Sequence, residues 1–80
     1  MANERKEEMQ LKERTRNELR GEIYKQRETI VSMTKKLGWS KNVLGRKLNG
    51  EVDFTWDEVQ QLIDTLGIRN DADALHRIFF

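Results

Sequence analysis

Apolar residues recur along this chain at the three- and four-residue spacing of helices, and no segment alternates apolar and polar residues as a strand would. Proline is absent and glycine is sparse. The pattern predicts an all-α fold: five helices in a compact bundle, and no strand. The main apolar positions expected on the inner faces of these helices are Leu19, Ile23, Tyr24, Ile30, Met33, Leu37, Leu44, Leu48, Leu62, Ile63 and Leu66.

The second and third helices have clear local end signals. Thr29 is placed to cap the second helix, and Gly38 should end it in a left-handed backbone conformation. Ser40 is expected to cap a third helix over residues 41–48, with Gly50 after its end. The two helices and their glycine turn have the form of a helix-turn-helix, the motif that places its second helix in the DNA major groove.

The fourth helix has the strongest start signal in the chain. Thr55 and Glu58 have the spacing of a capping box, and the helix should end at Gly67. A short fifth helix follows, capped by Asn70 or Asp71.

The chain divides into a charged leader, residues 1–16, and a globular domain, residues 17–80. The first helix of the domain is expected from about Asn17 to about Gln26. Two interpretations of the leader remain open: a solvated helix or disordered arm, and an arm that contacts DNA or a partner subunit.

The net charge of +1 conceals a strong asymmetry along the chain. Residues 21–50 carry +5, whereas residues 51–80 carry −5. An unbroken run of one sign over two helices favours a surface that faces phosphate groups. The five basic residues between Glu28 and Glu51, a stretch without acids, are Lys35, Lys36, Lys41, Arg46 and Lys47.

The outward face of the third helix has side chains suited to reading bases. If Leu44 and Leu48 face the core, the side chains on the opposite side include arginine and asparagine, which pair with guanine and adenine respectively. Gly45 would let the helix approach DNA closely, and Ser40 could donate to phosphate. The predicted DNA-binding residues are Lys35, Ser40, Lys41, Asn42, Gly45, Arg46, Lys47 and Asn49.

The stretch from Leu37 to Asn49 resembles the helix-turn-helix of the Cro/C1-type family of phage repressors and related bacterial regulators. In that family a glycine, an apolar residue and a serine open the recognition helix, an arginine follows, and Asn-Gly closes it. Residues 53–59, residues 66–68 and the terminal Ile-Phe-Phe are also similar to small phage Cro-like proteins. The resemblance covers about residues 17–80. It implies a lambda-repressor-like fold, operator binding, homodimerisation, and base or phosphate contacts by Ser40, Lys41, Asn42 and Arg46.

Our first hypothesis is therefore a transcriptional regulator of the phage Cro or repressor type. It would bind double-stranded DNA as a homodimer and act by occupying an operator. Aromatic residues at a chain end suggest the dimer contact, although a satellite core is an equally weighted interpretation. The dimer candidates are Leu75, Ile78, Phe79 and Phe80.

The second hypothesis is a protein-binding module on the same scaffold, such as a phage antirepressor or an inhibitor of a host defence nuclease. Its partner would dock on the acidic C-terminal half or on the N-terminal arm. Ile30 and Trp56 motivate this alternative, because the family usually has a glutamine at the position of Ile30. Thr34 also departs from the family, which has a small alanine there.

Other classes of protein are poorly supported. The chain has no cysteine and one histidine, His76, so neither a metal site, a cofactor nor an enzyme is expected. No apolar run has the length of a signal peptide or a membrane span. We expect a cytoplasmic protein, in a bacterial host cell if the chain is phage-encoded.

Overall fold

A computed structural model describes residues 7–80 of the chain. Within that range it contains five α-helices and one sheet of two short strands. In chain order the elements are β1 (Glu8–Met9), α1 (Glu13–Lys25), α2 (Ile30–Leu37), α3 (Val43–Leu48), β2 (Phe54–Thr55), α4 (Trp56–Leu66) and α5 (Ala72–Phe79).

Most of the predicted helix ends are confirmed. Thr29 caps α2, and Gly38 ends it with a φ of 73°. At α4 the side chain of Thr55 accepts the Glu58 N–H while the Glu58 carboxylate accepts the Thr55 N–H, the reciprocal arrangement of a capping box. Asp71 is the cap of α5. These ends formed where expected because each depends on residues within three or four positions of one another.

The expectation that the chain has no strand is wrong. Met9 pairs with Phe54 and Glu8 with Thr55 in an antiparallel ladder, and the Trp56 N–H donates to the Glu7 carbonyl at 2.9 Å. Strands of two residues are too short to show alternation, so periodicity could not find them. The first helix also begins at Glu13, four residues before the expected start at about Asn17.

The predicted start of the third helix is also wrong. Ser40 does not cap it: the helix begins at Val43, and the Ser40 carbonyl only accepts the Val43 N–H at 3.2 Å across the turn. The cause is Asn42, whose φ of 70° is left-handed and incompatible with a helix running through it. α3 is consequently six residues long.

The core lies between all five helices. α1 packs against α5, α3 and α2, while α2 also packs against α3 and α4. None of the helices described is both long and apolar enough to cross a membrane. The side chains that are buried and apolar are Leu19, Ile23, Met33, Leu44, Leu48, Phe54, Val59, Leu62, Ile63, Leu66, Ile68, Ala74 and Ile78.

Candidate nucleic-acid interface

α3 is held to the core by one face, as predicted. Leu44 and Leu48 are completely or almost completely buried. The residues on its other side and in the turn before it are exposed, namely Lys41, Asn42, Arg46 and Asn49. The helix therefore presents its polar face to solvent, which a groove-binding helix requires.

A groove of about 610 Å³ lies between α2 and α3, and we call it the α2–α3 groove. Its lining combines apolar and polar side chains. The apolar and hydroxyl part comprises Ile30, Val31, Thr34 and Trp39. The charged and amide part, together with one glycine, comprises Lys35, Lys41, Asn42, Gly45, Arg46, Asn49 and Glu51. Six of the eight predicted DNA-binding residues thus line one concave surface. The other two are not part of the lining: Ser40 is exposed in the turn before α3, and Lys47 is buried.

Trp39 connects this groove to the rest of the domain. Its half-buried indole packs against the core, and its Nε1–H donates to Gln61 Oε1 of α4 at 3.0 Å. Thr34 is buried, and its hydroxyl donates to the Ile30 carbonyl one turn earlier at 2.7 Å. A threonine in place of a smaller residue is therefore accommodated within α2, because its polar atom is satisfied by its own helix.

Three cations of the groove have no ion-pair partner among residues 7–80. Lys35, Lys41 and Arg46 are all exposed, and none of them forms an ion pair within that part of the chain. Glu51 is an acidic residue of the same lining. The groove consequently has a net positive charge, with its cations available to an anionic ligand.

Lys36 differs from these three, although the sequence grouped it with them. Its ammonium forms an ion pair with Glu28, whose other oxygen accepts the Ser32 hydroxyl at 2.6 Å. Hydrogen bonds from Lys36 and then Ser32 stabilise the carboxylate and lower the pKa of Glu28. The charge of Lys36 is thus largely compensated by a residue just outside the acid-free stretch.

Lys47 must be removed from the predicted DNA-binding set. It is only 7% exposed, and its Nζ donates to the Asp53 carbonyl at 2.8 Å. The same atom lies 2.9 Å from Glu58 Oε1 and 6.0 Å from the centre of the Phe54 ring. At 100° per residue, Lys47 lies next to Leu44 on the buried face of α3. Its ammonium group therefore contacts Glu58 at the start of α4 and does not face solvent.

Asn42 and Asn49 have structural roles that the sequence did not indicate. Asn42 occupies the left-handed position before α3, which asparagine tolerates better than most residues. Asn49 follows the last turn of α3, and its Oδ1 accepts a hydrogen bond from Arg20 Nη2 at 2.9 Å. Asn42 and Asn49 both still line the groove, whereas Arg20 is not part of the lining.

Two arginines of α1 hold the end of α3, and sequence reasoning missed both. Arg16 donates to the Leu48 carbonyl at 3.2 Å and to the Leu11 carbonyl at 2.6 Å, while Arg20 binds Asn49. A cation at the carboxyl end of a helix also interacts favourably with the helix dipole. The partners are 29 and 32 residues away in the sequence, so local patterns gave no signal.

The predicted dimer residues fall into three groups by burial. Ile78 is fully buried in the core, so it is not available to a second copy. Leu75 and Phe79 are half-buried against the core. Phe80 is 85% exposed, with its ring stacked on His76 at 5.8 Å between centroids. The core interpretation therefore holds for Ile78, and Phe80 remains the candidate for an interface.

No group of three or more histidine, aspartate and glutamate side chains gathers as metal ligands in residues 7–80. Within the same residues, the α2–α3 groove combines unpaired cations with the exposed Val31 and the half-buried Ile30. Comparisons with known proteins found no family model, no curated protein and no solved structure that matches this chain.

Proposed function

We propose that this chain is a sequence-specific DNA-binding transcriptional regulator that acts by occupying an operator. The observation that carries the proposal is the set of exposed, unpaired cations at the α2–α3 groove: Lys35, Lys41 and Arg46. When duplex DNA binds there, these cations replace counterions condensed on its phosphates, and the release of those counterions contributes a large share of the affinity.

The roles of individual residues follow from their positions. α3 enters the major groove by its exposed face, and Arg46 on that face pairs with guanine O6 and N7. Lys41, in the turn before α3, and Lys35, near the end of α2, bind phosphates and set the register of the helix. Arg16 and Arg20 act as positioning residues because they fix the carboxyl end of α3.

A two-fold operator requires a homodimer with half-sites about 34–36 Å apart. The exposed Phe80 ring at the end of α5 is our candidate for the contact between copies. A single copy offers three unpaired groove cations, and a dimer offers twice that number. Because the salt dependence of the binding constant increases with the number of phosphates neutralised, it distinguishes a monomer from a dimer on the DNA.

The second candidate function is a protein-binding module, such as an antirepressor or a nuclease inhibitor. One observation favours it: Val31 is 65% exposed at the first turn of α2, beside Ile30 and within the same groove. Exposed aliphatic residues in a concave surface are typical of sites that bind a protein helix. Glu51 in the lining would repel phosphate and would suit a partner with a basic residue.

A titration with mixed-sequence duplex DNA over a salt series tests the proposal. We expect the logarithm of affinity to fall linearly with the logarithm of salt concentration. Because Lys35 and Lys41 are the cations assigned to phosphates, the slope should be about −2 for one copy and about −4 for a dimer. Arg46→Ala should remove the preference for a selected operator over mixed sequence. Arg69→Ala is the matched control, because Arg69 pairs with Asp64 away from the groove. Absence of binding at low salt would reject DNA recognition and favour the protein-binding alternative.

A further inference from the structure

The apolar lining of the α2–α3 groove has no role in the phosphate and guanine contacts proposed above. Ile30 and Val31 begin α2, and they line the same surface as Lys41 and Arg46. Val31 keeps 65% of its surface exposed. A ligand that covers these two side chains is best matched to the groove if it carries an apolar group as well as negative charge, since polar atoms buried against them would lose their hydrogen bonds.

Gly45 keeps the groove open on the side of α3. A Cβ atom built at Gly45 would point toward Ile30 and lie 3.8 Å from its Cγ2. A methyl group at that position would make an ordinary van der Waals contact with Ile30, so the absence of a side chain at Gly45 leaves this part of the groove open. No other apolar residue of α3 fills it, because Val43 is not part of the lining and Leu44 and Leu48 face the core.

We propose that Ile30 and Val31 bind the 5-methyl group of thymine in the bound duplex. This inference rests on the proposed function, because it concerns the same site. Thymine is the base that presents a methyl group in the major groove. Its duplex also carries phosphates, whose charge is complementary to Lys35 and Lys41 in the same lining. One ligand thereby satisfies both halves of the lining. The operator is expected to contain thymine opposite the start of α2, next to the guanine read by Arg46.

The test removes the methyl group from the DNA and leaves every hydrogen bond in place. Duplexes selected by the protein from a random pool would be synthesised with each thymine replaced in turn by deoxyuridine, and Kd measured by fluorescence anisotropy. At one or two positions per half-site we expect affinity to fall about fourfold, the value of one buried methyl group. At the other thymines the replacement should have no effect.

Protein variants assign the effect to the groove. Val31→Ala changes an exposed position and leaves the core intact, and it should reduce the fourfold difference in Kd between thymine and deoxyuridine duplexes. Ile30→Ala should abolish that difference. Val52→Ala is the matched control: Val52 is also exposed, at 46%, but it lies outside the groove, so the fourfold difference should persist. Circular dichroism would verify that each variant is folded.

The outcomes separate this inference from the proposed function. DNA binding with no effect of deoxyuridine at any position would overturn the thymine contact and leave DNA recognition intact. A deoxyuridine effect that survives unchanged in both Val31→Ala and Ile30→Ala would also overturn it. No binding to any duplex at low salt would overturn both proposals, and is the result expected if an acidic protein segment occupies the groove.

Discussion

Lys47 Nζ lies 2.9 Å from Glu58 Oε1, and the same carboxylate oxygen accepts the Thr55 N–H at 2.8 Å. One glutamate therefore closes the capping box of α4 and neutralises the buried end of a lysine from α3. This relationship connects α3 to the helix start with the strongest sequence signal in the chain. It also explains why a basic residue of α3 is directed away from solvent.

Replacing Lys47 by methionine should destabilise the fold without changing the salt dependence of DNA binding. The methionine keeps the apolar stem but leaves Glu58 and the Asp53 carbonyl without their donor, at a cost of about 1–3 kcal/mol. Urea denaturation measures the loss. Lys41→Met is the matched control, because Lys41 is exposed. The Lys41→Met protein should keep nearly the same stability and bind DNA more weakly. A stable Lys47→Met variant with weakened binding to all sequences would contradict this assignment.

Gly45→Ala should make the protein more stable and a poorer DNA-binder. Alanine gains about 0.5–1 kcal/mol over glycine inside a helix, and its Cβ would make only an ordinary contact with Ile30, at 3.8 Å. The added methyl group would nevertheless occupy the α2–α3 groove. Thermal unfolding and DNA titration measure the two effects.

Gly21→Ala is the control for that change. Gly21 is exposed inside α1, and nothing lies within 4 Å of a Cβ built there. It should therefore give a similar rise in stability with no change in DNA affinity. Equal affinities for the two alanine variants would show that the groove is not the contact surface.

Two substitutions of Asn42 separate its backbone role from its side chain. Asn42→Ala should lose about 1 kcal/mol, since alanine has no side-chain compensation at a φ of 70°, whereas Asn42→Gly should retain stability. Both should lose any base preference that the amide provides. If Asn42→Gly selects the same operator as the parent chain, asparagine is present for its backbone conformation alone.

The Glu28 carboxylate should make stability depend on pH in the acid range. Hydrogen bonds from Lys36 and Ser32 lower its pKa in the folded state, so the folded protein binds fewer protons than the unfolded chain there. Its contribution is present above the ordinary glutamate pKa of about 4.3 and is lost as the pH falls through the lower folded value. A hydrogen bond from Arg69 likewise lowers the pKa of Asp64 in the folded state, so Asp64 adds to the loss of stability in acid.

Urea midpoints measured between about pH 6 and pH 2 test this dependence. Glu28→Gln should flatten the fall in stability at the acid end. In a Lys36→Met background the same substitution should flatten it less, because the main cause of the lowered pKa is already gone. An unchanged profile in Glu28→Gln would mean that this ion pair does not persist in solution.

The sequence predicted what depends on neighbours along the chain. The caps at Thr29, Thr55 and Asp71 and the stops at Gly38 and Gly67 were found because each signal lies within one helical turn. The inward direction of Leu44 and Leu48 followed from spacing alone. These local signals were enough to place α2, α4 and α5 and the buried face of α3.

What the sequence did not predict depends on contacts between distant residues. The pattern of charges places Lys47 on the surface, because its partner Glu58 belongs to another helix. β1 gives no local signal, because it forms only by pairing with Phe54 and Thr55, which are distant in the sequence. The start of α3 was misplaced for a different reason. An asparagine can continue a helix or leave it, and only the surrounding packing decides that Asn42 is left-handed.

Gly50 makes the junction between α1 and α3 depend on the absence of a side chain. A Cβ there would lie 2.9 Å from Arg16 Cζ, so any larger residue would push the guanidinium off the Leu48 and Leu11 carbonyls. Its φ of 81° disfavours other residues independently. The two positions should accordingly be constrained as a pair in evolution. Shortening residue 16 would relieve the contact with a Cβ at residue 50, but the backbone component of the cost would remain.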